Sequence, residues 1–184
     1  IKEPTIQGIA CRRLGDGKKC DYAILAWAQE AKLEARSVHT DAINVEKLKT
    51  SLPEIKKMTR RKPESFCSTL CDLLAACGIA LVFLPHIGGS FLHGATFYDG
   101  AKIVIGMTVR GKDADRFWFS LFHEFGHIIL GHIGQIDGTT EDDERNADTF
   151  ARDTLIPPPA FDSFSQRGSF DKDSIICFAE SVEI

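Results

Sequence analysis

The chain has 184 residues, 43% hydrophobic and 26% charged, an ordinary make-up for a globular domain with a real core. A net charge of −4 argues against a nucleic-acid surface, because phosphate contacts need a surplus of Lys and Arg. No apolar run is long enough to suggest a membrane span. The six cysteines, Cys11, Cys20, Cys67, Cys71, Cys77 and Cys177, include no C-x-x-C pair, so a structural zinc knuckle is not expected. Cys67, Cys71 and Cys77 fall in an apolar helical pattern. Free core cysteines suit a reducing compartment, and the expected location is cytoplasmic. The chain opens at Ile1 without a basic-then-apolar leader and is expected to be a segment of a longer, unsecreted protein.

Residues 1–19, with Gly8, Gly15 and Gly17, read as an irregular lead-in. Asp21–Arg36 has the composition of a helix, with an apolar face through Ile24, Leu25, Ala28 and Ala31. Asn44–Met58 reads as a second helix, bent or restarted near Pro53. The basic run Ile55–Lys62 reads as a solvated helix end, although its charges could also meet an anionic partner. Pro63–Gly78 is a third helix, with proline at its start, a stripe of Phe66, Leu70, Leu73 and Leu74, and a glycine cap.

The period then changes. Ile79–His86 is rich in β-branched and aromatic residues, and Phe91–Thr108 breaks at Asp99-Gly100, a hairpin signal. Three strands are expected, with 92–98 and 101–107 antiparallel. A long helix follows through "FSLFHEFGHIILGH" (Phe119–His132), ending near Gly131. Thr139–Pro159 opens with capping residues and an acidic first turn and is stopped by its prolines; a last short helix starts near Asp171. The fold class is α+β, a small antiparallel or mixed sheet of about three strands packed with helices. Residues 1–60 read as a helical N-terminal extension or a connection to a missing domain, and 61–184 as the domain that holds the chemistry.

That chemistry centres on His123-Glu124-Phe125-Gly126-His127. Residues i and i+4 share a helix face, so His123 and His127 can offer imidazole nitrogens to one ion. Glu124, one step round the helix, can stay out of coordination and take a proton from water. A catalytic zinc needs a third protein ligand and an open position. The three-histidine spacing fails, because Leu130 and Ile133 stand where glycine and the third histidine would be. His132 falls one position short and reads as part of the helix exit. A glutamate from a following helix remains, and "ERNADTFA" offers Glu144, with Asp148 four residues on. Glu144 can bind the ion, and Asp148 can hydrogen-bond the outer N–H of a ligand histidine. The same acids could equally be a solvated first turn favoured by the helix dipole. Gly126 inside a helix suggests a close approach, by either the ligand helix or the substrate.

Together, "HEFGHIILGH" and "ERNADTFARDTLIP" resemble the ImmA/IrrE-type metallopeptidase domain, over roughly Pro63 to Pro159. Members of that family often have Leu where Phe125 stands, and Asn or Asp at Asp148. The resemblance implies a minimal thermolysin-like zincin core, with Zn2+ on His123, His127 and Glu144 and the catalytic role on Glu124. It implies cleavage of a regulatory protein, typically a transcriptional repressor, by a domain that often follows a helix-turn-helix domain in antitoxin-like or phage-type regulators. Residues 1–60 would then be the connection to such a domain or a helical cover over the cleft. The expected activity is that of a zinc-dependent endopeptidase, dependent on a partner or signal in some settings. Its protein or peptide substrate would lie along an exposed edge strand. His86, His93 and Tyr98 are the candidate oxyanion donors. The alternative is a non-catalytic sensing or binding module of a transcriptional regulator or toxin–antitoxin system. The intact Glu124 favours the enzyme.

Overall fold

The computed structural model describes residues 18–86, 93–108, 113–135 and 138–184. The lead-in expected before Lys18 and the strand start expected at Leu92 lie outside these residues. The elements, in chain order, are α1 (Lys18–Ala35), α2 (Val45–Lys57), α3 (Pro63–Ala75), β1 (Ile79–Leu84), β2 (Gly94–Asp99), β3 (Lys102–Thr108), α4 (Ala114–Ile129), α5 (Glu141–Leu155), α6 (Pro158–Ser165) and α7 (Lys172–Ser181). The fold is α+β, with a mixed three-stranded sheet among the described residues.

Two expectations need correction. α2 runs on through Pro53 without restarting, and one 3-10 turn (Met58–Arg60) extends it. The prolines expected only to stop α5 also open α6, with Pro158 and Pro159 in its first turn. Proline lacks the N–H that a first turn leaves unpaired anyway, so one proline cluster can end a helix and begin the next.

In the sheet, β3 is central. It pairs in parallel with β1 (Ile79 opposite Ile103) and antiparallel with β2 (Tyr98 opposite Ile103), which leaves β1 and β2 as the edges among the described residues. Asp99 pairs with Lys102 and closes the hairpin, and Gly100 takes the positive φ of +63° that the tight turn requires.

Side chains of a strand alternate between faces, and each face of this sheet has its own core. Ala80, Val82, Leu84, Ala95, Phe97 and Val104 meet α1 through Ile24, Trp27, Ala28 and Ala31. Gly106 lies on that face, and a Cβ there would fall 2.4 Å from the Trp27 ring, so the glycine makes the notch that admits the indole. On the opposite face Ile79, Leu81, Ile103, Ile105 and Met107 pack with α2, α3 and α4. α4 is therefore held against the sheet along one side, and α5 covers another side of it.

Candidate metal centre

Nine residues of α4 are buried, among them His123, Glu124 and His127, three ionisable groups in an otherwise apolar setting. One helical turn brings the two imidazoles together, with their Nε2 atoms 2.9 Å apart. α5 supplies the facing wall. Thr140 caps it, accepting from the Asp143 backbone N–H while the Asp143 carboxylate accepts from the Thr140 backbone N–H. This reciprocal box fixes the first turn, and Glu144 is the next residue.

The two helices approach closely because Gly126 meets Ala147. A Cβ on Gly126 would lie 3.0 Å from the Ala147 Cα. Of the two explanations for Gly126, the ligand helix is the one seen. Glu144 Oε2 then stands 3.3 Å from His123 Nε2, and Oε1 stands 3.6 Å from His127 Nε2. The Thr139 hydroxyl donates to Glu144 Oε1 at 2.6 Å. His123, His127 and Glu144 each offer one ligand atom, and these atoms all lie within 4.8 Å of one another. Asp148, one turn further along α5, lies 2.9 Å from His123 Nδ1. With the proton on Nδ1 given to Asp148, Nε2 presents a lone pair to the cluster.

His132 lies in the helix exit, as expected, and is also folded back onto the site. α4 ends in a Schellman turn: Gly131 takes φ +78°, its N–H donates to Ile128 C=O, and the His132 N–H donates to His127 C=O at 2.9 Å. That reversal folds the residue after the glycine back over the last turn. His132 is consequently buried, its Nδ1 3.1 Å from His127 Nδ1 and its Nε2 3.4 Å from Asp143 Oδ1. A consistent proton arrangement has His127 Nδ1–H donating to His132 and His132 Nε2–H directed at Asp143, leaving His127 Nε2 as a lone pair. The signal for this was in the sequence. A glycine just past a helix predicts contact between the residue after it and the residue five back.

Glu124 points across to β2. The Thr96 hydroxyl donates to its Oε2 at 2.5 Å, and a Cβ on Gly94 would lie 2.8 Å from its Oε1. A cavity of about 670 Å³ opens beside it, with His93, His123 and Glu124 on its polar side and Trp118, Phe119 and Leu155 among its apolar lining. Of the three candidate oxyanion donors, His93 lines this cavity, whereas His86 and Tyr98 do not. Tyr98 is half exposed at the far end of β2, against Gly134, and His86 is half-buried just after β1.

The electrostatics follow from burial and proximity. Burial pushes the Glu124 carboxyl up to about 7, against the pull of His123 and the Thr96 hydrogen bond. Burial, and then the neighbouring His123, hold His127 down at about 4, so it is neutral at pH 7. Burial also opposes a charge on His123, but the Glu144 carboxylate 3.3 Å away, with Glu124 and Asp148 nearby, outweighs it and raises its pKa. Glu144 is lowered: burial raises it, but the proximity of the His123 imidazole and the hydrogen bond from Thr139 prevail. The donor set fits a zinc ion. Two imidazole nitrogens face each other, and the buried Glu144 Oε2 has no hydrogen-bond partner although it is aimed at them. A cation shared by all three resolves both features.

Residues 93–178 match the model of the Peptidase_M78 family, described as the IrrE N-terminal-like domain. The match takes in the motif helix, α5 and β2. It begins at His93, later than the resemblance read from the motifs, and runs beyond Pro159 to Phe178. Comparison with curated proteins and with solved structures found no match.

Proposed function

We propose that this chain is a zinc-dependent endopeptidase of the cytoplasm, acting on a regulatory protein such as a transcriptional repressor. The observation that carries the reading is Glu124, a buried carboxylate beside the His123–His127–Glu144 cluster and open to a substrate-sized cavity. A purely structural metal site has no use for it. His123, His127 and Glu144 would hold the ion, oriented from behind by Asp148 and His132. When bound, zinc supplies Lewis acidity to the scissile carbonyl and brings the pKa of a water toward neutrality. Glu124 takes the proton of the attacking water and returns it to the leaving amine. β2 is an edge strand beside Glu124, so an extended peptide can add to it through main-chain hydrogen bonds. Trp118, Phe119, Leu155 and Ile156 favour a large apolar side chain next to the scissile bond. His93 is the residue positioned to stabilise the oxyanion. The choice of a repressor, and of a regulatory partner that switches activity, rests on the family resemblance.

The test pairs metal analysis with cleavage. Wild-type chain should carry about one zinc, and Glu144→Ala far less. Glu124→Gln should keep the zinc and lose about 10²- to 10⁴-fold in turnover. Zinc binding without cleavage of any peptide or repressor substrate would make the sensing module the better reading. Full proteolysis by Glu124→Gln would remove the general-base role.

A further inference from the structure

The ligand histidines are each braced from behind, His123 by Asp148 and His127 by His132. Glu124 needs a brace more than they do. Its side chain has one more rotatable bond than histidine, and a general base displaced by about 1 Å can cost about 10²-fold in rate. Its brace comes from the sheet. Along β2, Ala95 and Phe97 pack toward α1, so Gly94 and Thr96 face α4. Thr96 is fully buried, paired opposite Ile105 of the central strand. Valine would fill that place equally well for packing. A hydroxyl there costs free energy unless it has a partner, and its partner is Glu124 Oε2 at 2.5 Å. Threonine is β-branched and stiff at χ1, so a residue rooted in a sheet holds the contact without further support. The adjacent Gly94 completes the arrangement. Its missing Cβ leaves space against Oε1, and both Gly94 and Glu124 line the cavity.

We propose that Thr96 is the positioning residue for Glu124, holding Oε2 so that Oε1 alone faces the cleft and exchanges the proton. Thr96 keeps its hydrogen throughout. The proton moves from water to Oε1 and from Oε1 to the amide nitrogen as the peptide bond breaks. The catalytic part of this inference rests on the peptidase reading above, but the anchoring of Glu124 does not, and the two can be tested apart.

The first measurement uses infrared difference spectra of the metal-free chain in mildly alkaline buffer. The Glu124 carboxylate band is identified by its loss in Glu124→Gln. That band should shift in Thr96→Val and Thr96→Ala and return in Thr96→Ser. The second uses the zinc-loaded chain and a pool of internally quenched peptides. On the best-cleaved member, Thr96→Val should lower kcat about tenfold with KM within about twofold, and Thr96→Ser should restore kcat. An unshifted band overturns the proposal. So does an equal loss in Thr96→Ser and Thr96→Val, which would mark a packing role. A wild-type chain that cleaves no peptide removes the peptidase reading, and the infrared result then decides the anchoring alone.

Discussion

The two faces of the small sheet are built by one alternation and serve different ends. The face toward α1 is closed mainly by apolar side chains, with Trp27 seated over Gly106 among alanines, Val82, Leu84, Phe97 and Val104. The face toward α4 buries equally large apolar groups but admits Thr96 from the strand and His123, Glu124 and His127 from the helix. Each polar group on that side has a specific partner, as burial demands. One face can therefore carry stability while the other carries chemistry, and the two should respond to different substitutions.

The sharpest way to break this division is Trp27→Ala. Removing a buried tryptophan should cost about 3 kcal/mol, near the low end for such truncations because the indole Nε1 is buried without a hydrogen-bond partner. Chemical denaturation should report the loss, while zinc affinity of the folded fraction stays at the wild-type value. His132→Ala is the converse. It should weaken zinc binding about 10- to 100-fold in a chelator competition and leave the denaturation midpoint of the metal-free chain nearly unchanged. If zinc affinity held, the brace behind His127 would be dispensable.

Gly126→Ala has a smaller effect with opposing parts. Alanine gains about 1 kcal/mol of helix propensity, but its Cβ meets the Ala147 backbone and pushes α5 away. Zinc affinity should fall about fivefold while thermal stability barely moves. Unchanged affinity would mean that α5 can shift without moving Glu144.

The smallest effect belongs to a position on neither face. Asp171 caps α7, and hydrogen bonds from the Ser169 hydroxyl and the Ser174 backbone N–H hold its carboxyl down at about 2. A depressed carboxyl stabilises the fold above its ordinary pKa. That contribution should fade as pH falls from about 3.8 to about 2. Amide chemical shifts of folded α7 should titrate at about 2 in wild type and lose that transition in Asp171→Ala, with zinc affinity at neutral pH unchanged.

The sequence made some of this legible and hid the rest for physical reasons. His123 with His127, and Glu144 with Asp148, were legible because each pair sits on one helix whose period fixes its geometry; that period does not bring the two helices together. The hairpin at Asp99-Gly100 was legible for a similar reason, since turn chemistry is local. Thr96 was not, because a threonine in a strand looks the same whether it faces solvent, a core or a buried carboxylate. Only the sheet register puts it opposite α4. His132 reads as part of the helix exit, which it is; its contact with His127 was not legible from the helix period, because it depends on the backbone reversal at Gly131. α6 was hidden behind its own prolines, which read as an ending and serve also as a beginning.

The three candidate ligands all lie within residues 123–144, on two helices joined by one short connection. An ion bound there closes only a small loop of chain. Loop-closure entropy grows slowly with length, by about 0.6 kcal/mol for each doubling, and a short clasp constrains only its own neighbourhood. Losing the ion should therefore free α5 to open as a local unit while the Trp27 side of the sheet keeps its hydrogen-exchange protection. A bound ion would then act as a latch on one corner of the molecule, the corner at which the proposed peptide substrate would enter and leave.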